Sequence, residues 1–199
     1  MITTEQIKKL RERTGISIMQ CKKALEESAG DMGKAVIVLS KKSSQIADKK
    51  ADRNLGSGVV QSYIHADKSV GTMLQLLCET DFVAKNEEFQ ALAYNLAMHI
   101  TATNPKFLKK EDISDDEKEK VKEVFANEVA ELAEKTKQPA ELQAKILQGK
   151  LDAYFGERIL LEQPYIKDPA QTIDALIKTG IQKFGEKIEI GAFVRYSIH

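Results

Sequence analysis

The chain opens on a helical period and leaves it near residue 59. Thr3 and Gln6 stand at the spacing of a capping box, and Ile2 and Ile7 flank that cap as a hydrophobic staple. The apolar face then reads Ile7, Leu10, Thr14, and Gly15 supplies the stop. Ser17 with Gln20, and Ile16 with Cys21, repeat the device at once. A second helix is therefore predicted to about Ser28, with Ile18, Cys21, Ala24 and Leu25 turned inward. Gly30 ends it, and Asp31 caps a third helix that buries Ala35, Val36 and Leu39. Each helix is shorter than the roughly 12–15 residues an isolated helix needs, so they must pack on one another.

Residues 41–56, KKSSQIADKKADRNLG, hold few large apolar side chains and read as a helix extension or a solvated linker. Beyond them the period drops to that of strands. Residues 59–65 and 70–78 are rich in β-formers, and the loop Ala66-Asp67-Lys68-Ser69 joins them as a hairpin. Helical spacing returns at Phe89, Leu92, Ala93, Leu96, Ala97 and Ile100, until Pro105 breaks it. It returns again at Val121, Val124, Phe125, Val129, Leu132 and Ala133, behind the acidic start Ser114-Asp115-Asp116-Glu117. Leu142, Ile146, Leu151 and Phe155 mark another helix after Pro139. Residues 172–179 predict a shorter helix closed by Gly180. Residues 188–198 predict a last strand whose even positions, Ile188, Ile190, Ala192, Val194, Tyr196 and Ile198, are all apolar.

The expected class is α+β. A three-helix module with its linker covers residues 1–55, and residues 56–199 form a core of several helices on a small antiparallel three-stranded sheet. The loop Thr14-Gly15-Ile16 resembles that of ubiquitin-associated domains, small modules that dock partners. The hairpin is also apolar on a second face, read as Val59 and Tyr63 on one strand and Met73 and Leu77 on the other. A small sheet apolar on both sides needs a second layer, and pairing of two copies through the sheet would supply it.

Composition narrows the function. The 199 residues carry 30 Lys+Arg against 30 Asp+Glu, which disfavours a globally basic nucleic-acid binder. Divided after residue 56, the balance becomes 12 basic against 7 acidic, then 18 against 23, a basic module on an acidic core. The linker's cations are interleaved with Asp48 and Asp52 and have no aromatic to stack a base. No apolar run approaches the roughly 20 residues of a membrane span, and MITTEQIKKL has no secretory h-region. Cys21 and Cys78 make no disulfide framework, so a reducing cytoplasm is the expected compartment.

Catalytic motifs are missing. Gly30-Asp31-Met32-Gly33-Lys34 has the wrong spacing for a phosphate loop, and there is no GxGxxG, HExxH or GxSxG. His65, His99 and His199 are isolated in sequence, and both cysteines read as buried, inert thiols. No enzyme activity, metal site or cofactor is expected. One segment stands out. Phe82 lies in a polar turn between a strand and a helix that Asn86 can cap. Spacing alone favours a Phe82 that plugs the core, with Asp81 satisfying turn amides. The alternative turns Asp81-Phe82 outward as a wedge, since an exposed aromatic beside a carboxylate makes an efficient interaction hot spot.

These residues also carry a family resemblance. Leu10-Arg11-Glu12-Arg13-Thr14-Gly15, then Met19, then Cys21-Lys22-Lys23-Ala24-Leu25 resembles the N-terminal signature of bacterial elongation factor Ts. Glu79-Thr80-Asp81-Phe82-Val83-Ala84 resembles its second signature. Ala97-Met98-His99-Ile100 and Leu161-Glu162-Gln163-Pro164 are similar to further family segments, in the same order along essentially the whole chain. The resemblance implies guanine-nucleotide exchange on the GTPase elongation factor Tu. It implies that Thr80, Asp81, Phe82 and Val83 disturb the Mg²⁺ site of the GTPase, and that Arg11, Ile18 and Met19 dock the N-terminal module. His65, in a Ser-Tyr-x-His context, is a further contact by looser similarity. One hairpin pair and one TDFV segment match the short family form, in which two chains jointly supply a doubled core. The competing class is a ribosome- or RNA-associated accessory protein using the basic residues 1–56.

Overall fold

The computed structural model describes residues 2–136 and 139–198; His199 lies outside them, and so does the side chain of Ala133. The N-terminal helices are α1 (Thr4–Thr14), α2 (Ile18–Glu27) and α3 (Met32–Asp48), followed by the hairpin β1 (Ser57–Ile64) and β2 (Val70–Cys78). The short α4 (Asp81–Ala84) precedes α5 (Glu87–Thr103), α6 (Asp115–Thr136) and α7 (Ala140–Gly156). The strands β3 (Pro164–Tyr165) and β4 (Asp168–Thr172), the helix α8 (Ile173–Phe184) and the strand β5 (Ile188–Ser197) complete the described chain. Contacts group these elements into two units, one running to Ala102 and resuming at Tyr165, the other Thr103–Pro164. The expected boundary at 55/56 falls inside the first unit.

In the first unit the caps form as spaced. Thr3 Oγ1 accepts the Gln6 amide at 3.2 Å, while the Gln6 side chain accepts the Thr3 amide at 2.9 Å. Gly15 takes φ 68°, a left-handed conformation glycine adopts without strain, and donates its amide to the Arg11 carbonyl at 2.7 Å. Asp31 accepts the Lys34 amide at 3.0 Å to start α3. Leu10, Ile16, Cys21, Ala24, Leu25, Ala35 and Leu39 form the core of this module. Ile18 does not join it: it is 56% exposed on the first turn of α2, because Ile16 already fills the core at that end. The basic segment is a helix extension as far as Asp48 rather than a solvated linker. Ser43 is buried there, donating to the Leu39 carbonyl at 3.0 Å and to the Gln182 side chain of α8.

The sheet has strand order β1-β2-β5, all antiparallel. Helix α5 covers one face: Thr101 donates to Thr72 Oγ1 at 2.8 Å, and Tyr94 meets Tyr63 edge-on at 5.5 Å. Leu74, Leu76, Ile188 and Ile190 are buried beneath, as are Phe89, Ala93, Leu96, Ala97 and Ile100 of α5. The last strand does not keep its even positions on one side. Its pairing steps from Gln75↔Ala192 to Leu76↔Ile190, leaving Gly191 as a bulge. One extra residue reverses the facing. Ile188 and Ile190 enter the core, whereas Val194 and Tyr196 are exposed on the opposite face. The first strand also differs in phase. Val59 pairs with Leu76 and Tyr63 with Thr72 on the covered side, so Val60 and Ile64 join Met73 on the open side. Alternation could not set this phase, because β1 is apolar at both Val59-Val60 and Tyr63-Ile64.

Helix α8 runs through Gly180 and stops at Gly185 (φ 73°), which donates its amide to the Ile181 carbonyl at 2.9 Å. Gly180 is a packing residue, not a stop. A Cβ there would lie 3.2 Å from Leu92 Cδ2 and 3.4 Å from Ile188 Cδ1, so its absence admits α5 and β5 close to α8. The β3–β4 ribbon had no periodic signal in so short a stretch. In the second unit α6 and α7 pack side by side, with Phe125 edge-on to Tyr154 at 5.6 Å and Lys150 paired with Glu128 at 2.5 Å. Phe107 bridges to Ile159 in parallel fashion, and Ile113, Val129, Ile159 and Leu160 are buried.

Candidate partner-docking site

Strand β2 carries Cys78 into the core, where its thiol donates to the Thr80 carbonyl at 3.2 Å and burial pushes its pKa up. The chain then turns through Glu79 and Thr80 into α4. Two carboxylates hold this turn. Glu186 Oε2 accepts the amides of Glu79 and Thr80 at 3.1 and 3.0 Å, and its Oε1 accepts the Thr80 hydroxyl at 2.5 Å. Glu79 Oε1 accepts the Lys187 amide at 2.6 Å, and the Arg53 guanidinium reaches both Glu79 oxygens at 3.2 and 3.1 Å.

The helical turn decides which side chain faces in. Ala84 is buried, Val83 is half-buried, and Phe82 points outward, 83% exposed. The core-plug reading is thereby overturned, since Ala84 takes the inward place on this turn. Leaving a phenylalanine in water forgoes roughly 1.5–3 kcal/mol that burial would contribute. Asp81 beside it accepts a hydrogen bond from Lys85 Nζ at 2.6 Å, and this bond holds its carboxyl below the usual range. Asn86 Oδ1 accepts the Glu88 amide at 2.8 Å and so starts α5.

The other expected residues lie elsewhere. Met19 is 82% exposed next to Ile18 at the start of α2, and Arg11 is exposed on α1. His65 sits at the hairpin tip, its amide bonded to the Val70 carbonyl at 2.9 Å and its Nδ1 3.4 Å from the Tyr63 hydroxyl. The 9 residues of β2 separate His65 from the Phe82 turn by about 30 Å at about 3.3 Å per residue. One chain therefore presents them at opposite ends of its sheet. Sequence reading missed Glu186, Lys187 and Arg53, which hold the turn from remote segments without a local signal. His99 is buried, accepting the Ile166 amide on Nδ1 at 3.4 Å with its ring against Tyr165. Among the described residues no cluster of three or more His, Cys, Asp or Glu side chains forms a metal-holding group. No described helix is long and apolar enough to cross a membrane.

Glu79 yields a pH prediction. The Lys187 amide, seconded by Arg53, holds its carboxyl below the ordinary 4.5. A carboxylate with a depressed folded-state pKa contributes stability above its unfolded pKa and loses it as pH falls through the folded value. The turn is expected to be pH-independent near neutrality and to loosen below about pH 4.5. Hydrogen exchange of the Lys187 amide, followed from pH 6 downward, checks this. Glu79→Gln should remove that pH dependence; an unchanged profile would reject the assignment.

The fold and this surface together define an α+β protein that presents Phe82, Met19 and Ile18 to solvent on its helices. The sequence pattern of the family described as Elongation factor TS matches residues 44–199. Proteins named Elongation factor Ts from Thermodesulfovibrio yellowstonii and Pseudothermotoga lettingae are 46% and 44% identical over 197 residues, covering 99% of this chain and 96% and 98% of theirs. The Elongation factor Ts of Thermosipho melanesiensis is 41% identical over 198 residues, 100% of this chain and 99% of its own. The chain belongs to the elongation factor Ts family.

Proposed function

We propose that the chain is a guanine-nucleotide exchange factor that binds GDP-loaded elongation factor Tu in the cytoplasm and promotes GDP release during translation elongation. The observation that carries the reading is Phe82, turned out to solvent on a turn mounted by Glu79 and Glu186. A GTPase of this kind holds GDP through phosphate-loop amides, a lysine and Mg²⁺. An aromatic wedge entering beside that site, with Asp81 next to it, displaces the elements that position the metal and weakens the nucleotide. Linkage requires the factor to bind the empty GTPase more tightly than the GDP-bound one by the factor with which it weakens GDP. Thr80 and Val83 frame the wedge, and Arg11, Ile18 and Met19 give a separate foothold from the N-terminal module. The mechanism needs no bond chemistry, metal or cofactor from this chain.

The open sheet face favours a homodimer. Val60, Ile64, Met73, Val194 and Tyr196 are all exposed there. A second copy packed on it with its strands running opposite to this chain's would bring its own His65 toward the end of the sheet where this chain's Phe82 lies. The RNA-binding reading draws less support, because cations of the basic segment are engaged within the chain. Lys42 pairs with Glu27 at 2.7 Å, Lys50 donates to the Gly185 carbonyl at 2.6 Å, and Arg53 is bound to Glu79. The test is to load elongation factor Tu with fluorescent GDP, add excess unlabelled GDP and this chain, and follow the signal. Accelerated release is expected; release at the unassisted rate would end the proposal.

A further inference from the structure

Helix α4 has four residues and cannot hold its own orientation. Thr80 stands at its N-cap position, yet its side chain makes no capping bond. The hydroxyl is given instead to Glu186 Oε1 at 2.5 Å, 106 positions away in sequence. Glu186 Oε2 takes the two amides that precede the helix, and Glu79 returns the arrangement by accepting the amide of Lys187. Each carboxylate thus binds the main chain of the opposite segment. Hydrogen bonds to an ionised carboxylate are the stronger, shorter class. The turn between α8 and β5 therefore sets where Asp81 and Phe82 point.

We propose that Glu186 is a positioning residue for nucleotide exchange, a role that rests on the exchange reading above. Glu186 locks the Glu79-Thr80 turn, and the lock aims Phe82. A carboxylate one methylene shorter cannot reach the same atoms. An amide of the same shape can: its oxygen accepts both backbone N–H groups, and its NH₂ donates to a Thr80 hydroxyl that now accepts.

Steady-state exchange on GDP-loaded elongation factor Tu, with catalytic amounts of the full chain, separates the possibilities. Glu186→Ala is expected to lower kcat about tenfold or more, since misplacing a positioned group by even 1 Å is costly. KM should hold within about twofold, because the exposed foothold on α2 is untouched. Glu186→Asp should fall with Glu186→Ala, and Glu186→Gln should restore most of the lost kcat. If the alanine variant does not fold, the Asp and Gln pair makes the same comparison. Amide hydrogen exchange of the free chain gives a readout independent of exchange activity. The Glu79 and Thr80 amides should lose protection in Glu186→Ala and Glu186→Asp and keep it in Glu186→Gln.

Wild-type kcat in Glu186→Ala, beside an inactive Phe82→Ala, would overturn the positioning role and leave the exchange reading standing. So would amides that stay protected without Glu186, or a raised KM at constant kcat. A wild-type chain that does not accelerate GDP release would overturn the exchange reading, and the role of Glu186 in exchange with it.

Discussion

Phe82→Ala is expected to reduce the acceleration of GDP release about 100-fold, which corresponds to about 2.7 kcal/mol of lost stabilisation. An anchor that enters a partner's interior commonly contributes that much, because truncation leaves its pocket unfilled. The chain itself should hardly notice. Phe82 is 83% exposed, and a surface change of this kind shifts stability by roughly 0.5 kcal/mol at most. Stopped-flow release of fluorescent GDP, beside a thermal melt of the variant alone, separates the two quantities. Undiminished activity would discard the wedge. A melt that collapses would mean that Phe82 supports the fold.

The second large effect is expected at the open sheet face. Val194 lies opposite Met73 on the central strand, in the middle of the exposed apolar surface. Val194→Lys would place an ammonium in each half of a two-fold interface, and burying an unpaired charge costs several kcal/mol. A penalty of about 3 kcal/mol is more than 100-fold in Kd. Sedimentation velocity should show the wild-type chain as a dimer and the variant as a monomer of unchanged helix content. A wild-type chain that is monomeric at high micromolar concentration would remove the dimer from the proposal.

What could be read in the residues was what depends on neighbours in sequence. Thr3 with Gln6, Gly15 and Asp31 act within one helical turn, so their spacing suffices to predict their bonds. The hairpin and the apolar stripe of α5 follow for the same reason. Facing depends on partners far along the chain, and there spacing failed. Ile18 has the spacing of a core residue but yields the place to Ile16. Gly180 looks like a stop until Leu92 and Ile188 are brought against it. The six even apolar positions of the last strand look like one face because nothing local marks Gly191 as an added residue. The turn that carries Asp81 and Phe82 divides in the same way. Its residues were visible as an oddity, a phenylalanine among polar neighbours, but its direction was not. That direction comes from a four-residue helix with Ala84 inward and from Glu186, a residue with no motif of its own.

The bulge at Gly191 also divides one strand between two thermodynamic accounts. Residues before it, Ile188 and Ile190, face the interior of their own chain, so truncating them lowers the melting temperature equally at every protein concentration. Residues after it, Val194 and Tyr196, face outward, and in the proposed dimer they contribute only by mass action. Their substitutions would alter how steeply the melting temperature rises with concentration while leaving the dilute limit in place. A single inserted glycine thus lets folding and assembly be varied independently within ten consecutive residues.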